Sequence, residues 1–177
     1  GRGAVEQAGV LERVDIITTT FGKALGGSNG GVIIGPAPVI ELLHQRARTT
    51  LFTNSLSPTI AATTMFVLDY IDQHPELRET LWKNTRYFRS QMTAVGFTVP
   101  KSEHPIVPVM IGEGKTAGDM AKDMLAEGIY VVGFSYPVVP MGKARIRVQI
   151  SALHTKEQID RLVTAFNTLG KKYGIIQ

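Results

Sequence analysis

Val14-Asp15-Ile16-Ile17-Thr18-Thr19-Thr20-Phe21-Gly22-Lys23-Ala24-Leu25-Gly26-Gly27 is an apolar, β-branched run that ends in threonines, meets a lysine and passes into glycines. The β-branched residues predict a strand from Val14 to Thr20, with Thr18 and Thr20 two apart and so on one face. Gly31 to Gly35, Gly-Val-Ile-Ile-Gly, predicts a second, short buried strand, which leaves the lysine in the loop between them. An amine placed there, beside hydroxyl and backbone donors able to hold a phosphate, suits a lysine that loses its proton and forms a Schiff base.

Taken alone, a lysine after a strand is most simply a surface residue. Gly22, Gly26, Gly27, Gly30 and Gly31 change the balance, because a plain connector has little reason to accumulate residues of such entropic cost. Two nucleotide-binding patterns fail. A P-loop needs glycine where Ile17 stands and a hydroxyl residue where Ala24 stands, and no series of glycines at relative positions one, three and six starts from Gly26 or Gly27.

Further along, Val39 to Arg48 predicts a helix opened near Pro38, and Thr49 to Ser57 a polar connection. Pro58 starts a helix carrying Ile60, Ala61, Met65, Leu68 and Ile71 toward His74-Pro75. A second long helix runs from Pro75 to Ala94 and stops at Gly96, with Trp82 on its apolar stripe and expected in the core. Beyond it come strands at Phe97 to Val99 and Ile106 to Ile111, a helix from Thr116 to Glu127, and strands at Ile129 to Phe134 and Ala144 to Ile150. In the last strand Arg145 and Arg147 share a face, opposite Ile146 and Val148. Thr155 and Gln158 form a capping box for a final helix whose apolar face is Ile159, Leu162, Val163, Phe166 and Leu169. The pattern divides near His74 into an α/β piece, 1–74, and an α+β piece, 75–177.

The chain has 177 residues, 44% hydrophobic and 19% charged, an ordinary globular composition able to bury a sizeable core. A net charge of +4 with dispersed basic residues argues against nucleic acid and is compatible with an anionic small molecule. No apolar stretch reaches the roughly 18 residues of a membrane span. The lack of cysteine excludes disulfides, cysteine nucleophiles and cysteine-ligated zinc, and suits a reducing compartment. No metal site is expected. His44, His74, His104 and His154 read as surface or turn residues and receive no role.

Thr20-Phe21-Gly22-Lys23-Ala24-Leu25-Gly26-Gly27 resembles the cofactor-lysine segment of the α-oxoamine synthases, within the aminotransferase-like fold type I group of pyridoxal phosphate (PLP) enzymes. Leu51 to Pro58 (Leu-Phe-Thr-Asn-Ser-Leu-Ser-Pro), Gly133 to Pro140 (Gly-Phe-Ser-Tyr-Pro-Val-Val-Pro) and Ala144 to Thr155 extend the resemblance along the whole chain. They favour the branch that condenses glycine with acetyl-coenzyme A over the aminolevulinate, aminooxononanoate and serine palmitoyl branches.

The fold class implied is α/β, a fold type I PLP-dependent transferase represented by part of its large domain (1–74) and a small α+β carboxy-terminal domain (75–177). Only the carboxy-terminal half of such a protein is matched, past the aspartate under the pyridine nitrogen and the histidine stacked on the ring. By resemblance, Lys23 bonds the cofactor and moves the glycine α-proton, and Thr20 holds the cofactor phosphate. Thr53 reaches the phosphate in the neighbouring subunit of a homodimer, and Arg147, chosen over Arg145 by family likeness, clamps the substrate carboxylate. The resemblance places such a protein in the cytoplasm, or in the mitochondrion of a eukaryote. The alternatives are a relative using another acyl-coenzyme A or amino acid, and an inactive dimerisation module.

Overall fold

The structure is a computed structural model that describes residues 3–26 and 29–177. Gly27 and Ser28 of the lysine loop lie outside the described residues. Two units are distinguishable, 1–75 and 76–177.

In the first unit β1 (Ile17–Thr20) pairs antiparallel with β2 (Gly31–Ile34), Thr20 opposite Gly31 and Ile17 opposite Ile34. Pairing stops at Ile34 because Gly35 leads into Pro36, which has no N–H to give. Val14 to Ile16 consequently have no strand partner among the described residues, and the strand is shorter than its β-branched run. Nor is β2 buried: Val32, Ile33 and Ile34 are 37%, 46% and 54% exposed, because the ribbon has no third strand among the described residues.

A helical turn, α1 (Ala4–Gln7), and a short 3-10 turn, Leu11–Arg13, precede the ribbon. After it, α2 (Ala37–Arg46) starts behind Pro36, with Pro38 inside its first turn, where a missing N–H costs nothing. Ala47 is extended, and a single turn, α3 (Arg48–Leu51), follows, tied by the Leu51 N–H to the Ala47 carbonyl at 3.0 Å and the Phe52 N–H to Arg48 at 3.0 Å. The connection expected from Thr49 is therefore helical at its start. One turn is too short to leave a periodic signature.

Helix α4 (Pro58–Gln73) begins at Pro58 as expected, with the Ala61 N–H bonded to the Ser57 carbonyl at 3.1 Å. Its apolar stripe is only partly covered, Met65 and Leu68 being 67% and 51% exposed.

The second unit is a three-stranded antiparallel sheet, ordered β3 (Ile106–Gly112), β5 (Ala144–Gln149), β4 (Val132–Phe134), packed against three helices. Strand alternation puts Val107, Val109, Ile146 and Val148 on the inner face, all buried. Helix α5 (Pro75–Ala94) adds Phe88 and Met92, α6 (Gly114–Ala126) adds Met120 and Met124, and α7 (Lys156–Lys172) adds Ile159, Val163, Phe166 and Leu169. Phe166 meets the Phe97 ring edge to face at 5.5 Å. The capping box is present: the Gln158 N–H donates to Thr155 Oγ1, and the Thr155 N–H to Gln158 Oε1 at 3.0 Å.

Three expectations fail in this unit for local reasons. Trp82 is half-buried outside the core cluster, because the face α5 turns inward is Leu81, Thr85, Phe88 and Met92, and position 82 lies about 100° away from 81. Phe97 to Val99 is not a strand: the Met110 N–H reaches the Thr98 carbonyl at 3.1 Å, but the chain then enters Pro100, which cannot donate. Ile129 to Val131 precede β4 instead of belonging to it, since the Ile129 N–H turns back to the Met124 carbonyl at 2.9 Å and closes α6.

Candidate functional site

Lys23 stands exposed in the turn that follows β1, with its own carbonyl accepting from the Gly26 N–H at 3.0 Å. Phe21, two residues earlier, is 7% exposed and anchors the turn. Thr20 ends the strand. Its hydroxyl donates to the Gly30 carbonyl at 3.2 Å and accepts from the Gly22 N–H at 3.4 Å. The Phe21 N–H also reaches Gly30, at 3.0 Å, so a threonine hydroxyl and a backbone N–H converge on one carbonyl and brace the base of the lysine turn.

Gly30 has a definite reason to be glycine. Its φ is +84°, and the Leu56 Cδ1 methyl occupies the space a β-carbon would need. This close approach fixes the loop after α3 to the lysine turn. Thr53 lies three residues before Leu56 in that loop and is exposed. Thr20, Lys23 and the segment bearing Thr53 are thus gathered in one unit, by a leucine within a stretch expected to be a polar connection.

Arg147 belongs to the second unit, on the outward face of β5. Its rival Arg145 is engaged, Nε donating to the Lys143 carbonyl at 3.0 Å. The Arg147 guanidinium carbon lies 4.1 Å from the centroid of the Phe134 ring. Both residues line a cavity of about 750 Å³, together with Tyr130, His154, Gln158 and Arg161. The turn that carries His154 is held by Asn84 of α5, whose Nδ2 donates to the Ser151 carbonyl at 3.1 Å and the His154 carbonyl at 2.9 Å. Sequence reasoning did not single out Phe134. The signal was its place in β4, since an outward aromatic on an edge strand is in reach of a neighbouring strand's arginine.

Elsewhere, Asp119, Asp123 and Asp160 form surface ion pairs with lysines. Asp160 is held below the usual carboxylate range by its hydrogen bonds from Lys156 and Tyr87, and Asp123 by those from Lys172 and Tyr173. Among the described residues no group of three or more His, Asp or Glu could hold a metal ion, and no helix is long and apolar enough to cross a membrane.

The chemistry of the first unit's donor set fits a phosphorylated aldehyde: a primary amine on an exposed turn for the aldehyde, and one hydroxyl at its base for the phosphate. Comparison with known proteins points the same way. The family model "Aminotransferase class I and II" matches residues 2–166, and the chain belongs to that family. It is 52% identical over 176 residues to the 2-amino-3-ketobutyrate coenzyme A ligase of Escherichia coli K12, covering 99% of this chain and 44% of that protein. Identity to the 8-amino-7-oxononanoate synthase of Symbiobacterium thermophilum is 40%, covering 99% of this chain and 45% of that protein. A solved serine palmitoyltransferase from S. paucimobilis, with a bound PLP-myriocin aldimine, superposes with a TM-score of 0.91 at 30% identity, over 99% of this chain and 44% of that one. The chain spans less than half the length of these relatives.

Proposed function

We propose that the whole protein is a PLP-dependent acyltransferase that condenses glycine with acetyl-coenzyme A to give 2-amino-3-oxobutyrate and free coenzyme A, a reaction whose reverse serves threonine breakdown. The observation that carries this is the identity of 52% to the coenzyme A ligase across 99% of the chain, lysine turn included. Residues 1–74 are then the carboxy-terminal part of the PLP-binding large domain, and 75–177 the small domain.

When bound, PLP supplies an aldehyde for an amine and an electron sink for the pair left at the glycine α-carbon. Lys23 Nζ would hold the cofactor and, when its amine is free, would take the α-proton of glycine. In the net reaction the glycine α-carbon gains a bond to the acetyl carbonyl carbon as the thioester carbon–sulfur bond breaks, and Lys23 would pass the proton it holds to the coenzyme A sulfur. Thr20 would hold the phosphate through its hydroxyl, which in this structure donates to the Gly30 carbonyl. Thr53 serves the neighbouring subunit's phosphate, which makes the homodimer part of the site. Arg147 orients glycine through its carboxylate, for which a planar guanidinium offers two parallel donors. Arg145 is less suited, because Nε is committed to the Lys143 carbonyl.

The test is Lys23→Ala in the whole protein with PLP added. Loss of the violet absorbance of covalently held cofactor is expected, and its retention would refute the role of Lys23. The identity of 40% to the oxononanoate synthase supports a second reading, a different acyl donor or amino acid. Turnover of acetyl-coenzyme A with glycine, set beside longer acyl-coenzyme A and alanine, decides between the two.

A further inference from the structure

We propose that Phe134 is a positioning residue that sets the plane of the Arg147 guanidinium for carboxylate binding; this rests on the carboxylate role given to Arg147 above. The sheet register creates the pair. Phe134 of β4 lies directly opposite Arg145 on β5, which makes Arg147 its diagonal neighbour on the same, outward face. Arg145 is drawn aside by the Lys143 carbonyl, and the aromatic ring is left to Arg147, whose central carbon stands 4.1 Å from the ring centroid.

Stacking suits the task because it uses the guanidinium's face and leaves its N–H donors free in the plane, where a carboxylate is met edge on. An exposed arginine otherwise spreads over many rotamers, and the ordering cost falls on substrate binding. The ring is itself well placed. Gly133, next to it, packs on the core side against the backbone of α6, where a β-carbon would come 2.9 Å from the Ala117 carbonyl oxygen. That contact fixes the depth of β4, and Phe134 emerges from a strand that cannot drift outward without opening a gap. A ring that merely shields the sheet would be indifferent to what Arg147 binds. The two roles predict different kinetics.

The experiment uses the PLP-loaded whole protein, comparing Phe134→Leu, Phe134→Tyr, Arg147→Ala and the pair Phe134→Leu with Arg147→Ala. Saturation is measured for both substrates, glycine binding by calorimetry and folding by thermal melts. Phe134→Leu is expected to raise KM for glycine about fivefold, weaken calorimetric glycine binding in parallel, and leave kcat and the KM for acetyl-coenzyme A nearly unchanged. Phe134→Tyr should restore the wild-type values, and Phe134→Leu should add nothing once Arg147 is alanine. Unchanged glycine affinity in Phe134→Leu, or full additivity in the pair, overturns the proposal. If Phe134→Leu melts early, Phe134→Met removes the ring while keeping the volume and is judged by the same criteria. Should Arg147→Ala itself leave glycine binding intact, the carboxylate role falls and this proposal with it; a loss in Arg147→Ala beside a silent Phe134→Leu sinks this proposal alone.

Discussion

Gly133 of β4 and Ala117 of α6 meet backbone to backbone: a β-carbon at 133 would stand 2.9 Å from the Ala117 oxygen and 3.1 Å from its carbonyl carbon. Neither atom belongs to a side chain that can rotate away. Gly133→Ala is therefore expected to push β4 off the helix and destabilise the second unit by about 1–3 kcal/mol, read as a lower urea midpoint with an unchanged slope.

Phe166 sits at the centre of the buried cluster, fully enclosed and in contact with the rings of Phe88 and Phe97. Truncation to alanine removes both ring contacts and leaves a cavity. The expected loss is about 3–5 kcal/mol, large enough on the ordinary scale of domain stability to leave Phe166→Ala partly unfolded at 37 °C by circular dichroism.

Thr155 caps α7 through its hydroxyl, and Gln158 returns the bond. Thr155→Ala removes one of two reciprocal partners and should cost about 1 kcal/mol. Thr155→Ser keeps the acceptor oxygen and should recover most of that loss, as measured by the thermal midpoint.

Low pH weakens the second unit through its paired carboxylates. Asp160, bonded by Lys156 and then Tyr87, and Asp123, bonded by Lys172 and then Tyr173, both lie below the ordinary carboxylate range when folded. The unfolded chain thus takes up protons first as pH falls. Their contribution is complete above the ordinary aspartate value of about 3.9 and disappears as pH drops through the folded values. Lys156 is displaced upward by the same Asp160 bond, so its share is present below the ordinary lysine range and fades as pH rises through the folded value. Urea midpoints between pH 7 and pH 2 should decline at the acid end, and more shallowly in Asp160→Asn.

Thr20→Val keeps the β-branched shape that suits a strand end and deletes only the hydroxyl. If that hydroxyl serves the cofactor phosphate, PLP affinity should fall about tenfold, with the melting temperature lowered only by the lost bonds to Gly30 and Gly22. Equal PLP affinity in the two proteins would reassign Thr20 to bracing the turn through Gly30.

Much of this molecule is legible in its residues. The long helices follow from Pro58 at a helix start, the turn after Ala94 and the Thr155/Gln158 pair, because those signals are local and chemical. Strand lengths are legible only in part, since a β-branched run such as Val14 to Thr20 states a preference and the partner decides how much of it is used. Burial of Val32 to Ile34 misled for the same reason. Apolar character in a strand says what a residue would tolerate, and covering layers decide what it receives. At the candidate site, Lys23 and Thr20 are visible because glycines and threonines crowd around them. Leu56 and Phe134 are not, as their importance lies in contacts across about 26 and 13 positions of sequence, to Gly30 and Arg147.

The Leu56 methyl that fills the missing side chain of Gly30 makes two distant positions a single hereditary unit. A larger residue at 30 is strained by its positive φ even where 56 shrinks, and a polar residue at 56 weakens the contact that ties the Thr53 segment to the lysine turn. Drift at 56 is thereby answerable to a glycine that cannot itself change, and natural variants should keep glycine at 30 and an apolar residue at 56.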